Sequence, residues 1–110
     1  MAAASMALAR VGLPDNARRG EVVEVRLLIR HPMETGFRRE GGERVKRNAI
    51  HSLVCRYRGA EVFRATLSTG IAANPTLRFY LRAEETGDLD FWWLDDDEVE
   101  GTAKARLVVA

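Results

Sequence analysis

Glu21-Val22-Val23-Glu24-Val25-Arg26-Leu27-Leu28-Ile29-Arg30 is the stretch whose period decides the fold. Val23, Val25, Leu27 and Ile29 fall on one side of an extended chain, and Glu24, Arg26 and Arg30 on the other. Successive side chains of a strand point to opposite faces, so this pattern predicts a strand with one face buried and one in water. No helical period extends far enough anywhere in the chain to compete with it.

The same alternation recurs on both sides of this segment. Ser52 to Arg58 sends Leu53, Cys55 and Tyr57 inward and Ser52, Arg56 and Arg58 outward. Gly59 punctuates, and Glu61 to Ser68 follows with Phe63, Ala65 and Leu67 inward. The pair predicts a hairpin around Arg58-Gly59-Ala60, although arginine forms this turn less readily than asparagine before glycine. Thr76 to Glu84 alternates Leu77, Phe79, Leu81 and Ala83 against Arg78, Tyr80, Arg82 and Glu84. After a turn at Thr86-Gly87, Asp88 to Asp95 places Leu89, Phe91 and Trp93 on one face and Asp90 and Trp92 on the other. Gly101 to Val109 carries Ala103, Ala105, Leu107 and Val109, and Arg10 to Leu13 makes a short first strand closed by Pro14. Ile71 to Pro75 reads as a crossover between sheets, since Pro75 cannot donate to a central ladder. About seven short strands with turns between them predict an all-β, immunoglobulin-like antiparallel β-sandwich. The paired cysteines of antibody domains are absent, and there is no internal repeat.

Composition is consistent with that class. In 110 residues, 46% hydrophobic and 30% charged is ordinary for a globular chain and excludes wholesale disorder. The expected organisation is a disordered or loosely ordered extension over residues 1–9 and one sandwich domain over 10–110. A formal net charge of +1 argues against nucleic acid as a partner, because phosphate binding needs a concentrated positive field. The basic run from Phe37-Arg38-Arg39-Glu40 to Arg44-Val45-Lys46-Arg47 is the local exception. It reads first as a solvated hairpin, with a docking surface for an acidic partner as the sharper alternative. The N-terminus has no basic region ahead of a sustained apolar run, and no stretch approaches the roughly 20 apolar residues of a membrane span. Taken alone, the chain reads as cytoplasmic, with no membrane role.

Candidate chemistry is sparse. A single cysteine, Cys55, makes no internal disulfide, and the alternation puts it inward, where a thiol is protonated and inert. His51 lies on the same strand about 13 Å away at ~3.3 Å per residue, too far for a Cys-His pair unless a bulge intervenes. His31, His51, Cys55 and Met33 are the residue types of a blue-copper site, but no histidine follows Cys55. An iron site of the superoxide-reductase kind needs more than two histidines. Asp95, Asp96, Asp97 and Glu98 could suggest calcium, yet an acidic run at a strand end reads first as a solvated turn. No glycine-rich phosphate loop follows a strand. No catalytic, cofactor or metal residues are therefore expected, and the chain is not expected to be an enzyme. A small metal or thiol redox protein on a sandwich, using Cys55 with His51 or His31, is the alternative.

Surface residues point instead to a partner. Tyr80 and Trp92 alternate outward, as do Leu28, Val54 and Val108, and large outward aromatics are natural interface anchors. The loop His31-Pro32-Met33-Glu34-Thr35-Gly36-Phe37 interrupts the strands with residues that packing does not require. Pro32 stiffens it and Gly36 supplies a turn, so Met33 and Glu34 are expected to point outward.

That loop, Ala72-Ala73-Asn74-Pro75 and Trp92-Trp93-Leu94-Asp95-Asp96-Asp97, in this order, resemble the SoxZ family of sulfur-oxidation proteins over about Val11 to Val109. SoxZ proteins form one half of the SoxYZ thiosulfate carrier. The resemblance implies a non-catalytic scaffold that heterodimerises with a SoxY-like subunit, whose C-terminal cysteine on a glycine-flanked arm holds the sulfur intermediate. This chain has no such arm, so Cys55 does not inherit the carrier role. The resemblance also implies transient contacts with other sulfur-oxidation enzymes. It implies a periplasmic location too, reached by export with a signal-bearing partner. His31, Met33, Glu34, Phe37, Asn74, Tyr80 and Trp92 are the candidate partner-binding residues. Glu98, where a glycine is typical of the family, and Arg58, where asparagine is expected, are its departures, and both fall in turns.

Overall fold

The computed structural model describes residues 9–68, 70, 71 and 73–110. The expected N-terminal extension lies outside the described residues except for Ala9, which already belongs to the first strand. Nine strands follow in order: β1 (Ala9–Gly12), β2 (Val22–Ile29), β3 (Arg39–Glu40), β4 (Glu43–Arg44), β5 (Ile50–Tyr57), β6 (Ala60–Thr66), β7 (Thr76–Arg82), β8 (Gly87–Asp95) and β9 (Glu100–Leu107). They form a three-stranded sheet, β1-β2-β7, a four-stranded sheet, β6-β5-β8-β9, and a small hairpin, β3-β4. Every strand pair is antiparallel. The architecture is the expected β-sandwich, and the two extra strands are the basic run folded as a hairpin.

Register explains the core. Val23 faces Leu81, Val25 faces Phe79 and Leu27 faces Leu77 across β2 and β7. Leu53 faces Trp93, Cys55 faces Phe91 and Tyr57 faces Leu89 across β5 and β8. These alternating residues are the ones the two sheets bury against each other. Each fully buried Leu, Ile or Phe contributes about 1.5–3 kcal/mol relative to exposure. An aromatic bridge joins the layers. Phe63 of β6 stacks on Phe79 of β7 with centroids 4.3 Å apart, and Phe79 meets Phe91 of β8 edge-on at 6.4 Å. Each such pair adds about 0.5–1.5 kcal/mol beyond area alone.

The outward side of β5 differs from expectation at one place. Val54 was expected to be exposed but is only 4% accessible. It lies in register between Arg64 of β6 and Trp92 of β8, whose larger side chains cover it on the outer face. Trp92 is itself half-buried. Gly101, opposite Trp93, is the one residue type that fits there, because a Cβ would come 2.1 Å from the indole.

The sandwich closes along one side, where β1 packs beside β9 and Ala17 bridges Val109. On the other side, the outer edges of β6 and β7 pair with no strand among the described residues. The crossover from β6 to β7 runs through Ile71 and residues 73–75, as Pro75 suggested. Ala72 lies outside the described residues.

Candidate functional site

One end of the sandwich gathers the loop after β2, the crossover before β7, the entry to β5 and the exit from β8. His31 and Asn74 lace the first two together: the His31 amide donates to Asn74 Oδ1 at 2.9 Å, and the Asn74 amide donates to the His31 carbonyl at 2.6 Å. The Met33 amide donates to His31 Nδ1 at 3.0 Å, which makes that nitrogen an acceptor and places the ring proton on Nε2. Nε2 then donates to Asp95 Oδ2 at 3.1 Å. Both partners are buried, His31 9% and Asp95 5% accessible.

Met33 corrects an expectation. It does not point outward; it is 4% accessible, and its thioether accepts the Ile50 amide at 3.3 Å. A left-handed backbone at Met33 (φ 51°) turns the side chain into the sandwich, where it meets an amide at the entry of β5. Glu34 is half-buried and exchanges both backbone hydrogen bonds with Asn48, at 2.7 and 2.9 Å. Its carboxylate is held by Arg38 through Nε at 2.9 Å and Nη2 at 2.7 Å. Those hydrogen bonds keep it below the usual carboxylate range. Gly36 (φ 91°) completes the loop against Arg47, whose Cβ would lie 3.1 Å from any added Cβ.

The acidic run is also corrected at its first member. Asp95 is not part of a solvated turn. Its Oδ1 accepts the Asp97 and Val99 amides, each at 2.9 Å, and its Oδ2 accepts His31 and, at 3.4 Å, Asn48 Nδ2. Burial pushes this carboxyl upward, but the hydrogen bonds from Val99, His31 and Asn48 outweigh it and hold the group below its ordinary value. Asp96 accepts the Ala49 amide at 3.0 Å and Arg47 at 2.6 Å. A cleft of about 200 Å³ opens between His31, Pro32, Asn48, Trp93, Asp95 and Val99.

Asn48 is the residue that sequence reasoning missed. It anchors Glu34 through the backbone and Asp95 through its side chain, and its Oδ1 is buried with no partner among the described residues. The one available cue was a lone asparagine between a basic run and a strand.

The remaining candidates scatter. Phe37 sits at the rim of this end, 78% exposed, with the Arg44 guanidinium 5.7 Å from its ring centre. Tyr80 and Trp92 lie on opposite outer faces of the sandwich. Tyr80 is 65% exposed and its hydroxyl donates to Glu24 at 3.3 Å, while the Trp92 indole donates to Glu100. The structure therefore brings together His31, Met33, Glu34 and Asn74, leaves Phe37 at their edge, and separates Tyr80 and Trp92 from them. The basic run is largely matched within the chain: Arg38 by Glu34 and Glu40, Lys46 by Asp97, and Arg47 by Asp96.

Cys55 is fully buried, and burial, followed by the charge of Asp90, pushes its thiol up to about 12. A bulge does fall at His51, but it directs the ring to Ser52, with Nδ1 2.8 Å from Oγ. Among the described residues no three His, Cys, Asp or Glu side chains come together to hold a metal. The site is a rim of loops around a buried, hydrogen-bonded polar knot.

Fold and site together define an immunoglobulin-like sandwich whose distinctive residues fix loops. The sequence pattern described as "Sulphur oxidation protein SoxZ" matches residues 10–106, and the chain belongs to that family. No curated protein matches the chain significantly. Among solved structures, the sulfur carrier protein SoxY from Chlorobium limicola f thiosulfatophilum is similar, with a TM-score of 0.65 and 12% identity over 94% of this chain and 79% of that one. A superoxide reductase (neelaredoxin) from Ignicoccus hospitalis aligns with a TM-score of 0.70 and 17% identity over 94% of this chain and 80% of that one. The superoxide reductase from Nanoarchaeum equitans gives 0.66 and 12% over 91% of each. At these identities the likeness is one of fold. In this chain His31 is bonded to Asp95 and to the Met33 amide, and His51 Nδ1 lies 2.8 Å from Ser52 Oγ.

Proposed function

We propose that this chain is the non-catalytic scaffold subunit of a SoxYZ-type sulfur carrier in thiosulfate oxidation. It forms a heterodimer with a SoxY-like subunit whose C-terminal cysteine carries the sulfur intermediate. Family membership over residues 10–106 is the observation that carries this reading. The chemistry of the chain agrees with it. The one thiol is buried in mid-strand and held protonated, so it is a packing residue and not a carrier. The loop His31 to Phe37 is held by the Asn74 and Asp95 side chains and by the main chain at Asn48 and Ile50, which suits a preorganised contact surface. In this reading the chain works in the periplasm, exported with a partner that bears the signal, and meets other sulfur-oxidation enzymes transiently. The redox alternative has no support in the geometry, since Cys55, His31 and His51 do not meet.

The deciding experiment is affinity capture of the tagged chain from cells of its source grown on thiosulfate, with intact-mass analysis of what co-purifies. A stoichiometric partner ending in a glycine-flanked cysteine, part of it with sulfur adducts, is the expected result. A chain recovered alone and loaded with metal overturns the proposal.

A further inference from the structure

The two open edges of the sandwich offer different surfaces. On the outer face of β1-β2-β7, the charged residues of the three strands are four arginines, Arg10, Arg26, Arg78 and Arg82, against a single carboxylate, Glu24. Glu24 is shared: it lies 3.1 Å from Arg26 Nε and 3.2 Å from Arg78 Nε, and also accepts Tyr80. Arg26 and Arg78 stand directly opposite in the register, a like-charge pairing that costs stability in the isolated chain. Arg82 is bonded to a neutral acceptor, the Gly20 carbonyl, at 2.6 Å. By contrast, the outer face of the four-stranded sheet is balanced, with Arg64 on Glu61, Lys104 on Asp88 and Asp90, and Arg106 on Asp88.

β7 adds a free edge to this excess of positive charge. Its seven residues pair only with β2 among the described residues, so alternate N–H and C=O groups line the other side. Such an edge is a template for an added strand. Arginine and tyrosine are also the side chains that most often anchor interfaces, and Tyr80 here is 65% exposed.

Resting on the carrier-subunit reading, we propose that the carrier subunit docks on this face and adds an extended acidic segment to the free edge of β7. Side chains of an added strand alternate as those of β7 do. Its Asp or Glu residues fall beside Arg78 and Arg82, and its apolar residues fall beside Phe79 and Leu81, which face the sandwich interior. Charge complementarity selects an acidic strand over a basic one and speeds encounter at low salt.

The test co-expresses the full chain with the carrier subunit and compares wild type, Arg78→Glu/Arg82→Glu, and Lys104→Glu/Arg106→Glu on the opposite sheet. Circular dichroism checks that each variant folds. The expected results are slowed amide exchange across 76–82 in the complex and affinity that falls steeply with salt. The β7 reversal should weaken binding about tenfold or more, and the opposite-face reversal far less. If wild type binds, β7 exchanges as in the free chain and its reversal changes nothing, the face is wrong while the carrier reading stands. If wild type captures no carrier subunit, or pairs only with itself along β7, both fall.

Discussion

The two ends of the sandwich are tied by different means. At the His31 end, side chains do most of the joining: Asp95, His31, Asn48, Asn74 and Met33 link segments up to 64 residues apart. At the opposite end the main chain does it. Ala17 bonds Val108 and Ala110, Gly20 bonds Ala83, and Ala83 bonds Glu21. A few side chains add to them: the Tyr57 phenol accepts the Glu84 and Glu85 amides at 3.2 and 3.1 Å and donates to the Glu85 carbonyl, and the Thr86 hydroxyl accepts the Val109 amide at 2.8 Å and donates to the Val109 carbonyl at 3.2 Å. Of the four non-glycine residues with left-handed backbone among the described residues, Met33, Asn74 and Glu98 belong to the His31 end and Arg58 to the other. Strained backbone persists where surrounding contacts over-determine it, and it concentrates in segments whose shape is used. The contrast therefore supports the His31 end as the one whose shape matters.

Asp95→Ala tests that contrast most severely. It removes one buried partner and strands two amides, His31 Nε2 and Asn48 Nδ2. The expected loss is about 3–5 kcal/mol in urea unfolding. A loss below about 1 kcal/mol would show that the knot is ornamental and that the main-chain end carries the fold. The same carboxylate sets an acid limb. Its folded pKa is depressed below the ordinary 3.8, so its contribution is complete above that value and fades as pH falls through the folded pKa. Protection from amide exchange, corrected for the intrinsic rate at each pH, should therefore fall at residues 95–99 before the Tyr57 end as pH drops below about 4, and Asp95→Asn should remove that difference.

Tyr57→Phe is the matching change at the other end. It leaves the ring packed and strips the hydroxyl from two amides and a carbonyl, for an expected cost of about 1–2 kcal/mol by the same measurement. If it cost as much as Asp95→Ala, the asymmetry between the ends would be lost.

How legible this was in the sequence depends on the range of the contact. The main strands could be read because alternation is local, and most of their inward residues, Ala105 excepted, join or pack on the core. The placements that failed depend on distant residues. Met33 reads as a loop residue until Ile50 supplies an amide, and Asp95 reads as a solvated acid until His31 arrives from 64 positions away. Val54 looked exposed because alternation reports the face of a sheet and not the size of the neighbours on it. Asn48 gave almost no cue, because its role is to accept a loop that the sequence places elsewhere.

The smallest effects concern two turns where a non-glycine residue holds a left-handed backbone. Glu98 and Arg58 both hold positive φ, 60° and 52°, where a side chain costs about 1–2 kcal/mol that glycine avoids. Glu98 is exposed and, among the described residues, no hydrogen bond or ion pair holds its side chain, so Glu98→Gly should stabilise by about 0.5–1 kcal/mol after the entropy of the unfolded glycine is subtracted. Arg58 differs. Its stem lies over Gly87, where an added Cβ would come 2.3 Å from Arg58 Cγ, and its guanidinium pairs with Glu85 at 3.4 Å. Arg58→Asn relieves backbone strain but gives up that cover and an exposed ion pair, so the net change should stay within about 0.5 kcal/mol. Equal gains at the two sites in thermal unfolding would mean that the Arg58 stem contributes nothing. A larger gain at Glu98 would show that strain at the His31 end is held by the buried knot rather than by the strained residue's own side chain.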